Sequence, residues 1–242
     1  ADGYARMAGR PAAVLLHLGP GLGNGLANLH NARRGRTPIV NIIGDHATYH
    51  AKYDAPLQSD IAAIASGVST WIRSSTDPAA VAQDAADAVA AAMGPPGQVA
   101  TLILPADVCW LEAPGPVAPV DPAARSAVPT STVEEVAAVL RSGEPTALLM
   151  GGSTMFEAGL VAASRVSAAS GAKLLAETFP ARLERGAGLP SVERLGYLAE
   201  FAQAQMDGLS HLVLVDTVSP VSFFAYPDKA SDLVPEGCTV HV

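Results

Sequence analysis

The run His17-Leu18-Gly19-Pro20-Gly21-Leu22-Gly23-Asn24-Gly25 constrains this chain more than any other segment. It follows the β-capable stretch Ala12 to Leu18 and precedes apolar residues at Leu22, Leu26 and Leu29, which recur at helical spacing to Arg34. Strand, glycine turn and helix is the expected order, the turn running from His17 to Gly25 and the helix from Leu22. Four glycines there allow a close backbone approach and leave amide groups facing a ligand at a helix N-terminus. The pattern lacks the Lys-Ser/Thr of a P-loop. Nor does an acidic residue follow as a dinucleotide fingerprint requires, since Asp45 sits after Gly44 in the next loop.

Alternation of strand and helix continues. Ile39 to Ile43 and Val99 to Leu104 are near-continuous apolar runs of the kind found in parallel sheets covered on both faces. Thr70 to Arg73 fits a short strand. Helices are expected at 59–66 and from Asp77-Pro78 to about Met93, and 46–58 reads as loop. The fold class is therefore α/β, with doubly wound, mostly parallel sheets. Between Glu112 and Pro129 lie five prolines and little that could pack, so we expect domains at 1–111 and 131–242 joined by a Pro-rich linker at 112–130. In the second domain a capping box from Thr130 or Ser131 to Glu134 or Glu135 should open a helix to Arg141. Ala147 to Met150, Gly151-Gly152-Ser153 and a helix from Glu157 to Ser170 then repeat the strand, turn, helix logic. Strands are expected at 173–176, 211–216 and 238–242.

Composition narrows the function. A net charge of −8 with no basic cluster beyond Arg33, Arg34 and Arg36 excludes a nucleic-acid partner. No apolar run reaches the ~20 residues of a membrane span. Two distant cysteines, Cys109 and Cys238, fit a reducing compartment, so a cytoplasmic location is expected. Hydrophobic residues make up 49% of the chain against 16% charged, which points to extensive burial in its own cores or in a homo-oligomer, a dimer or tetramer. The chain starts at Ala1, in what reads as the end of a helix, and closes on a β-like run without a terminating element, so a truncation at both ends is expected.

Polar residues give the glycine run its chemistry. His17 falls at the C-terminal end of its strand, where open α/β sheets place ligands, and Asn24 lies beside the same crevice. His46 and His50 are spaced i, i+4 but lack a third ligand for a metal site, and read as surface loop histidines. Asp54 and Asp60 read as solvated charges or caps, and Trp71 as core.

These residues resemble a known family. Ala1-Asp2-Gly3-Tyr4-Ala5-Arg6, the strand ending Leu16-His17, Gly19-Pro20-Gly21-Leu22-Gly23-Asn24, Gly44-Asp45, and Leu57-Gln58 with Trp71 resemble the acetolactate synthase group of thiamine-diphosphate (ThDP) enzymes. The resemblance implies a partial pyrimidine-binding domain followed by a Rossmann-like middle domain. It implies ThDP and Mg²⁺ as cofactors of the full-length protein, with FAD in the middle domain as a less favoured alternative. It implies a small 2-oxo acid as substrate, which is decarboxylated and then ligated to a second carbonyl. His17 matches the position of the active-site histidine of benzoylformate decarboxylase and would transfer protons; Gln58 matches a glutamine that reaches the active site; Gly19, Gly21 and Asn24 would lie by the cofactor. The family's catalytic glutamate would fall upstream of Ala1 and its Gly-Asp-Gly…Asn motif beyond Val242, so the chain alone is expected to be inactive. A ThDP-dependent 2-oxo acid decarboxylase is the near alternative. A non-catalytic α/β module and an NAD(P)-dependent oxidoreductase are the others.

Overall fold

The computed structural model describes residues 1–242, which divide into two compact units, Ala1–Ser126 and Ala127–Val242.

In the first unit the order is α1 (Asp2–Ala8), β1 (Ala12–His17), α2 (Leu18–Arg34), β2 (Ile39–Asp45), α3 (Ile61–Ser66), β3 (Trp71–Ser74), α4 (Val81–Met93), β4 (Val99–Pro105) and α5 (Ala106–Trp110). Four strands form an all-parallel sheet in the order β1-β2-β4-β3. Its two central strands are covered on both faces. Leu22, Leu29, Ile39, Ile43, Val99 and Ile103 pack on one side, and Val40, Ala100 and Leu102 meet Ala88 and Ala92 of α4 on the other. Burial of that kind is why β2 and β4 read as unbroken apolar runs. The one polar pair inside, Asn41 and Thr101, faces across neighbouring strands, the Asn41 amide donating to Thr101 Oγ1 at 3.2 Å. At the sheet edge, β1 is covered on one face alone, and Leu15 is 74% exposed.

The glycine run departs from expectation. It is not a turn between strand and helix: α2 begins at Leu18, directly after β1, and the glycines are its first turns. None of Gly19, Gly21, Gly23 and Gly25 has positive φ; the reversal is carried by the buried Leu18, at φ 54°. What the glycines supply is space. A β-carbon on Gly19 would stand 2.2 Å from Ser59 Oγ, and one on Gly25 3.0 Å from Leu16 Cδ1. Close packing thus explains these two, whereas Gly23 has nothing within 4 Å.

Elsewhere boundaries shift by a residue or two, except that α4 begins at Val81, past Asp77-Pro78, with no side chain capping it. Asp60 caps α3, its carboxylate accepting the Ala63 N–H at 2.9 Å. Helix α5 starts directly at the end of β4, an element the sequence reading omits. Residues 112–129 carry neither helix nor strand.

The second unit runs α6 (Thr130–Arg141), β5 (Thr146–Met150), α7 (Glu157–Ser170), β6 (Lys173–Ala176), β7 (Glu193–Arg194), α8 (Ala199–Met206), β8 (His211–Val215) and β9 (Thr239–His241). The sheet order is β7-β6-β5-β8-β9, again all parallel. The expected capping box does not form, since no side chain caps α6. Glu135 instead accepts from His241 Nδ1 at 3.2 Å, and the contacts continue from His241 Nε2 to His211 Nδ1 (3.1 Å) and from His211 Nε2 to Glu144 (2.8 Å). This Glu–His–His–Glu chain ties α6 to the neighbouring strands β8 and β9.

Candidate functional site

In a parallel sheet the C-terminal strand ends open a crevice, and side chains there face a ligand rather than a core. In the first unit His17 closes β1, Asp45 closes β2, and α5 rises from the end of β4. Around them lies a cavity of about 660 Å³, whose wall takes in His17, Asp45, His46, Tyr49, His50 and Trp110. Leu18, Leu57 and Leu104 give it an apolar floor, and no lysine or arginine lines it.

His17 is exposed and its ring makes no hydrogen bond. Gly21 packs beneath it, a β-carbon there lying 3.4 Å from His17 Cβ. Gly19 is buried against Ser59, which suits a packing role. Asn24 is exposed on the second turn of α2, outside the cavity wall. Gln58 also lies outside the wall, though its neighbour Leu57 lines it. Its Oε1 is enclosed without a partner, and such a buried orphan acceptor costs about 1–3 kcal/mol unless something satisfies it. Of the predicted residues, then, the cavity brings in His17, while Gly21 and Gln58 are adjacent to its elements.

Of the expected surface pair, His50 is exposed and His46 is not. His46 is half-buried, with Nε2 enclosed and unpartnered, and both rings line the cavity, their centroids 5.4 Å apart. Their loop is held from a distance. Thr48 donates its N–H (2.9 Å) and hydroxyl (2.5 Å) to Asp107 in the first turn of α5, and the His46 N–H donates to Asp45 (2.7 Å). The Thr48 hydroxyl bond, then the Thr48 amide, hold the Asp107 carboxyl below the usual range. Asp107 was not singled out by sequence; its place just past a strand end is the signal that could have found it.

The residues near α2 suit the heteroaromatic half of a cofactor. Gly23 has open space beside it and the Asn24 amide is exposed, whereas the Gln58 oxygen is enclosed and no cation is present to hold a diphosphate.

In the second unit the Gly151-Gly152-Ser153 turn is already filled. Asp216 Oδ2 accepts the Ser153 N–H at 2.8 Å and its hydroxyl at 2.9 Å, and lies where a Gly152 β-carbon would be. Arg182 donates to Glu184 at 2.6 Å and stacks over Phe156. A carboxylate in the turn occupies the place a phosphate would take, so these residues do not fit the diphosphate of a flavin dinucleotide.

A parallel α/β unit with a histidine at a strand end, followed directly by a glycine-rich helix, is of the kind found in thiamine diphosphate enzymes. Residues 1–66 match the family model for the thiamine pyrophosphate enzyme, N-terminal TPP binding domain. Over all 242 residues the chain is 62% identical to a candidate acetolactate synthase large subunit, IlvX, of Mycobacterium tuberculosis, spanning 46% of that protein's length. Among solved structures it resembles a candidate thiamin diphosphate-dependent enzyme of Mycobacterium smegmatis (TM-score 0.84, 24% identity, 99% of this chain and 46% of that one). It also resembles the thiamine diphosphate-dependent 4-hydroxybenzoylformate decarboxylase of Rhodococcus jostii RHA1 (0.83, 19%, 99% and 46%). The chain is thereby similar in sequence to an acetolactate synthase large subunit-like protein, and it shares its α/β fold with parallel sheets with thiamine diphosphate-dependent enzymes. The chain spans about half the length of these relatives. No helix is long and apolar enough to cross a membrane.

Proposed function

We propose that this chain is the pyrimidine-binding and middle part of a ThDP-dependent enzyme acting on a 2-oxo acid, with carboligation of the acetolactate synthase type following decarboxylation. Residues 1–111 and 131–242, joined by the linker 112–130, take those two roles. The observation that carries the reading is His17, unpaired at the end of β1 and facing the cavity beside a glycine-opened α2. Bound ThDP, with Mg²⁺, supplies a nucleophilic carbon that adds to the keto carbonyl and takes up the electrons released as CO₂ leaves. Gly21 and Asn24 flank the heterocycle, Gln58 orients it through its free oxygen, and His17 moves a proton at the substrate oxygen or carbon. Imidazole suits that work because its ordinary pKa lies near neutrality. The apolar edge formed by Leu15, Met7 and Tyr4, each at least half exposed, favours a homo-oligomer, and the composition favours the cytoplasm.

A 2-oxo acid decarboxylase is the second reading, favoured by His17 itself, a proton donor that a simple aldehyde-releasing step requires. Assaying the full-length protein with pyruvate and with aromatic 2-oxo acids separates the two. Acetolactate formation without aldehyde release is expected; aldehyde release from the aromatic acids with no carboligation would overturn the synthase reading.

A further inference from the structure

Three imidazoles share one wall of the cavity, and only His17 has a part in the reaction proposed above. His46 and His50 stand apart from it, on the loop after β2 rather than at the end of β1. That loop is not free to drift. Asp107 grips Thr48 through two bonds, the His46 amide is tied to Asp45, the His50 amide donates to Ala47 O at 2.8 Å, and the His50 ring leans on Tyr53 with centroids 5.7 Å apart. Fixing two hydrogen-bonding rings in the cavity wall costs conformational entropy, and for the enclosed His46 Nε2 solvation as well, while the contacts the rings make with each other and with Tyr53 leave their ring nitrogens without a protein partner. At about 660 Å³ the cavity lies within the ~300–1,000 Å³ typical of sites for sizeable organic ligands, far above what a three-carbon acid fills. Leu57, Leu104 and Trp110 line the same cavity and offer apolar surface.

From this geometry we infer that His50, backed by His46, is a specificity residue selecting a 2-oxo acid whose side chain ends in a second oxygen-bearing group, a hydroxyl or a carboxylate. The inference rests on the 2-oxo acid reading. His17 meets the reacting end; the apolar stretch of the substrate lies along Leu57, Leu104 and Trp110; and His50 hydrogen-bonds the distal oxygen. With no lysine or arginine on the wall, the imidazoles and the Tyr49 hydroxyl are the donors available for that oxygen, and imidazole can donate to a carboxylate or exchange donor and acceptor roles with a hydroxyl.

The test uses the full-length protein with ThDP and Mg²⁺ and substrate pairs that differ only at the far end: phenylpyruvate against 4-hydroxyphenylpyruvate, and 2-oxopentanoate against 2-oxoglutarate. The polar-tailed member of at least one pair should have the higher kcat/KM by about tenfold, the worth of one well-made hydrogen bond. In His50→Phe, which keeps a ring against Tyr53, that ratio should collapse toward one. Which pair responds distinguishes a hydroxyl from a carboxylate. A turnover-free arm follows Trp110 fluorescence, identified by its loss in Trp110→Phe, on titration with 4-hydroxyphenylacetate against phenylacetate and glutarate against pentanoate. If no 2-oxo acid turns over but the polar-tailed acids still bind tighter in a His50-dependent way, the cofactor reading falls and the imidazole site stands. Equal kcat/KM within both pairs, or a ratio unchanged in His50→Phe, overturns the inference.

Discussion

Two glycine-to-alanine changes on α2, one turn apart, should have opposite signs. At Gly19 the added methyl lands 2.2 Å from Ser59 Oγ and 2.4 Å from Ser59 Cβ, far inside the ~3.5 Å at which such atoms rest. Ser59 Cβ is fixed to backbone, and the next residue, Asp60, caps α3, so relief requires shifting that segment or the start of α2. Overpacking of this kind costs about 1–3 kcal/mol, and the better helix propensity of alanine returns at most about 1 kcal/mol. Gly19→Ala should therefore lose about 1 kcal/mol or more. At Gly23 no atom lies within 4 Å, the residue is exposed and its φ is helical, so alanine should gain roughly 0.5–1 kcal/mol. The gap between two chemically identical substitutions is then about 2 kcal/mol. Urea unfolding at neutral pH, followed through the half-buried Trp71 of the same unit, measures it. In the full-length protein Gly23→Ala should also weaken ThDP binding while raising the unfolding midpoint, because its methyl enters the opening assigned to the heterocycle. Equal effects at the two positions, or a stabilising Gly19→Ala, would refute the account of the run as packing space at one end and ligand space further along.

Other expectations concern the charged and polar contacts. Arg73 bridges Asp84 (2.8 Å) and Asp87 (2.7 Å) and stacks over Trp71, and with 41% of its side chain exposed its removal should cost about 1–2 kcal/mol in chemical denaturation. The Asp87 carboxyl is held below its usual range, first by the Gln83 amide and then by Arg73. A lowered folded-state pKa contributes stability above the unfolded value, near pH 4, that is lost as pH falls through the folded one. The wild type should consequently lose more Tm than Asp87→Asn between about pH 5 and pH 3, and parallel pH curves would refute this. In the second unit, His211→Ala and His241→Ala should be coupled by about 1 kcal/mol in a double-mutant cycle, given their 3.1 Å contact; strictly additive effects would deny that the chain acts as a unit. Asp216→Ala should empty the Ser153 turn, so that phosphate raises the Tm of the variant and leaves the wild type unmoved. Absence of any phosphate response in the variant would mean that the turn is not an anion site at all.

How far the sequence disclosed the fold varies with the range of the forces involved. Helix α7 was placed at 157–170 because local signals agree there, ending at Gly171 with φ 76°, a conformation glycine adopts freely. The strands β2, β4, β5 and β8 were legible because burial on both faces leaves an unbroken apolar run. By contrast β7 is two exposed polar residues, Glu193 and Arg194, whose strand character comes from pairing with Leu175 and Ala176 and from nothing in their own pattern. Helix α8 lacks a capping side chain, and its stripe of Ala199, Ala202 and Met206 is too short to stand out. The capping box at Glu134 or Glu135 failed for a related reason: His241, far along the chain, offers Glu135 a partner the helix start does not.

The candidate site divides along the same line. His17 could be assigned because a residue closing a parallel strand faces the crevice whatever the rest of the chain does, and that rule needs only a correctly placed strand. A loop histidine is ordinarily solvated, and His50 is exposed as that rule predicts, but the His46 and His50 rings both come to line the cavity because Asp107 grips Thr48, 59 residues apart in sequence. A contact of that range has no local signature. It does have a topological one, since the loop after β2 and the helix after β4 must leave the same edge of the sheet side by side once those strands pair in register from Ile39 with Val99 to Asp45 with Pro105. Polar residues in two such segments are therefore candidates to meet each other or a shared ligand before any side chain is placed, and in this chain Thr48 and Asp107 do the first so that His46 and His50 are left to do the second.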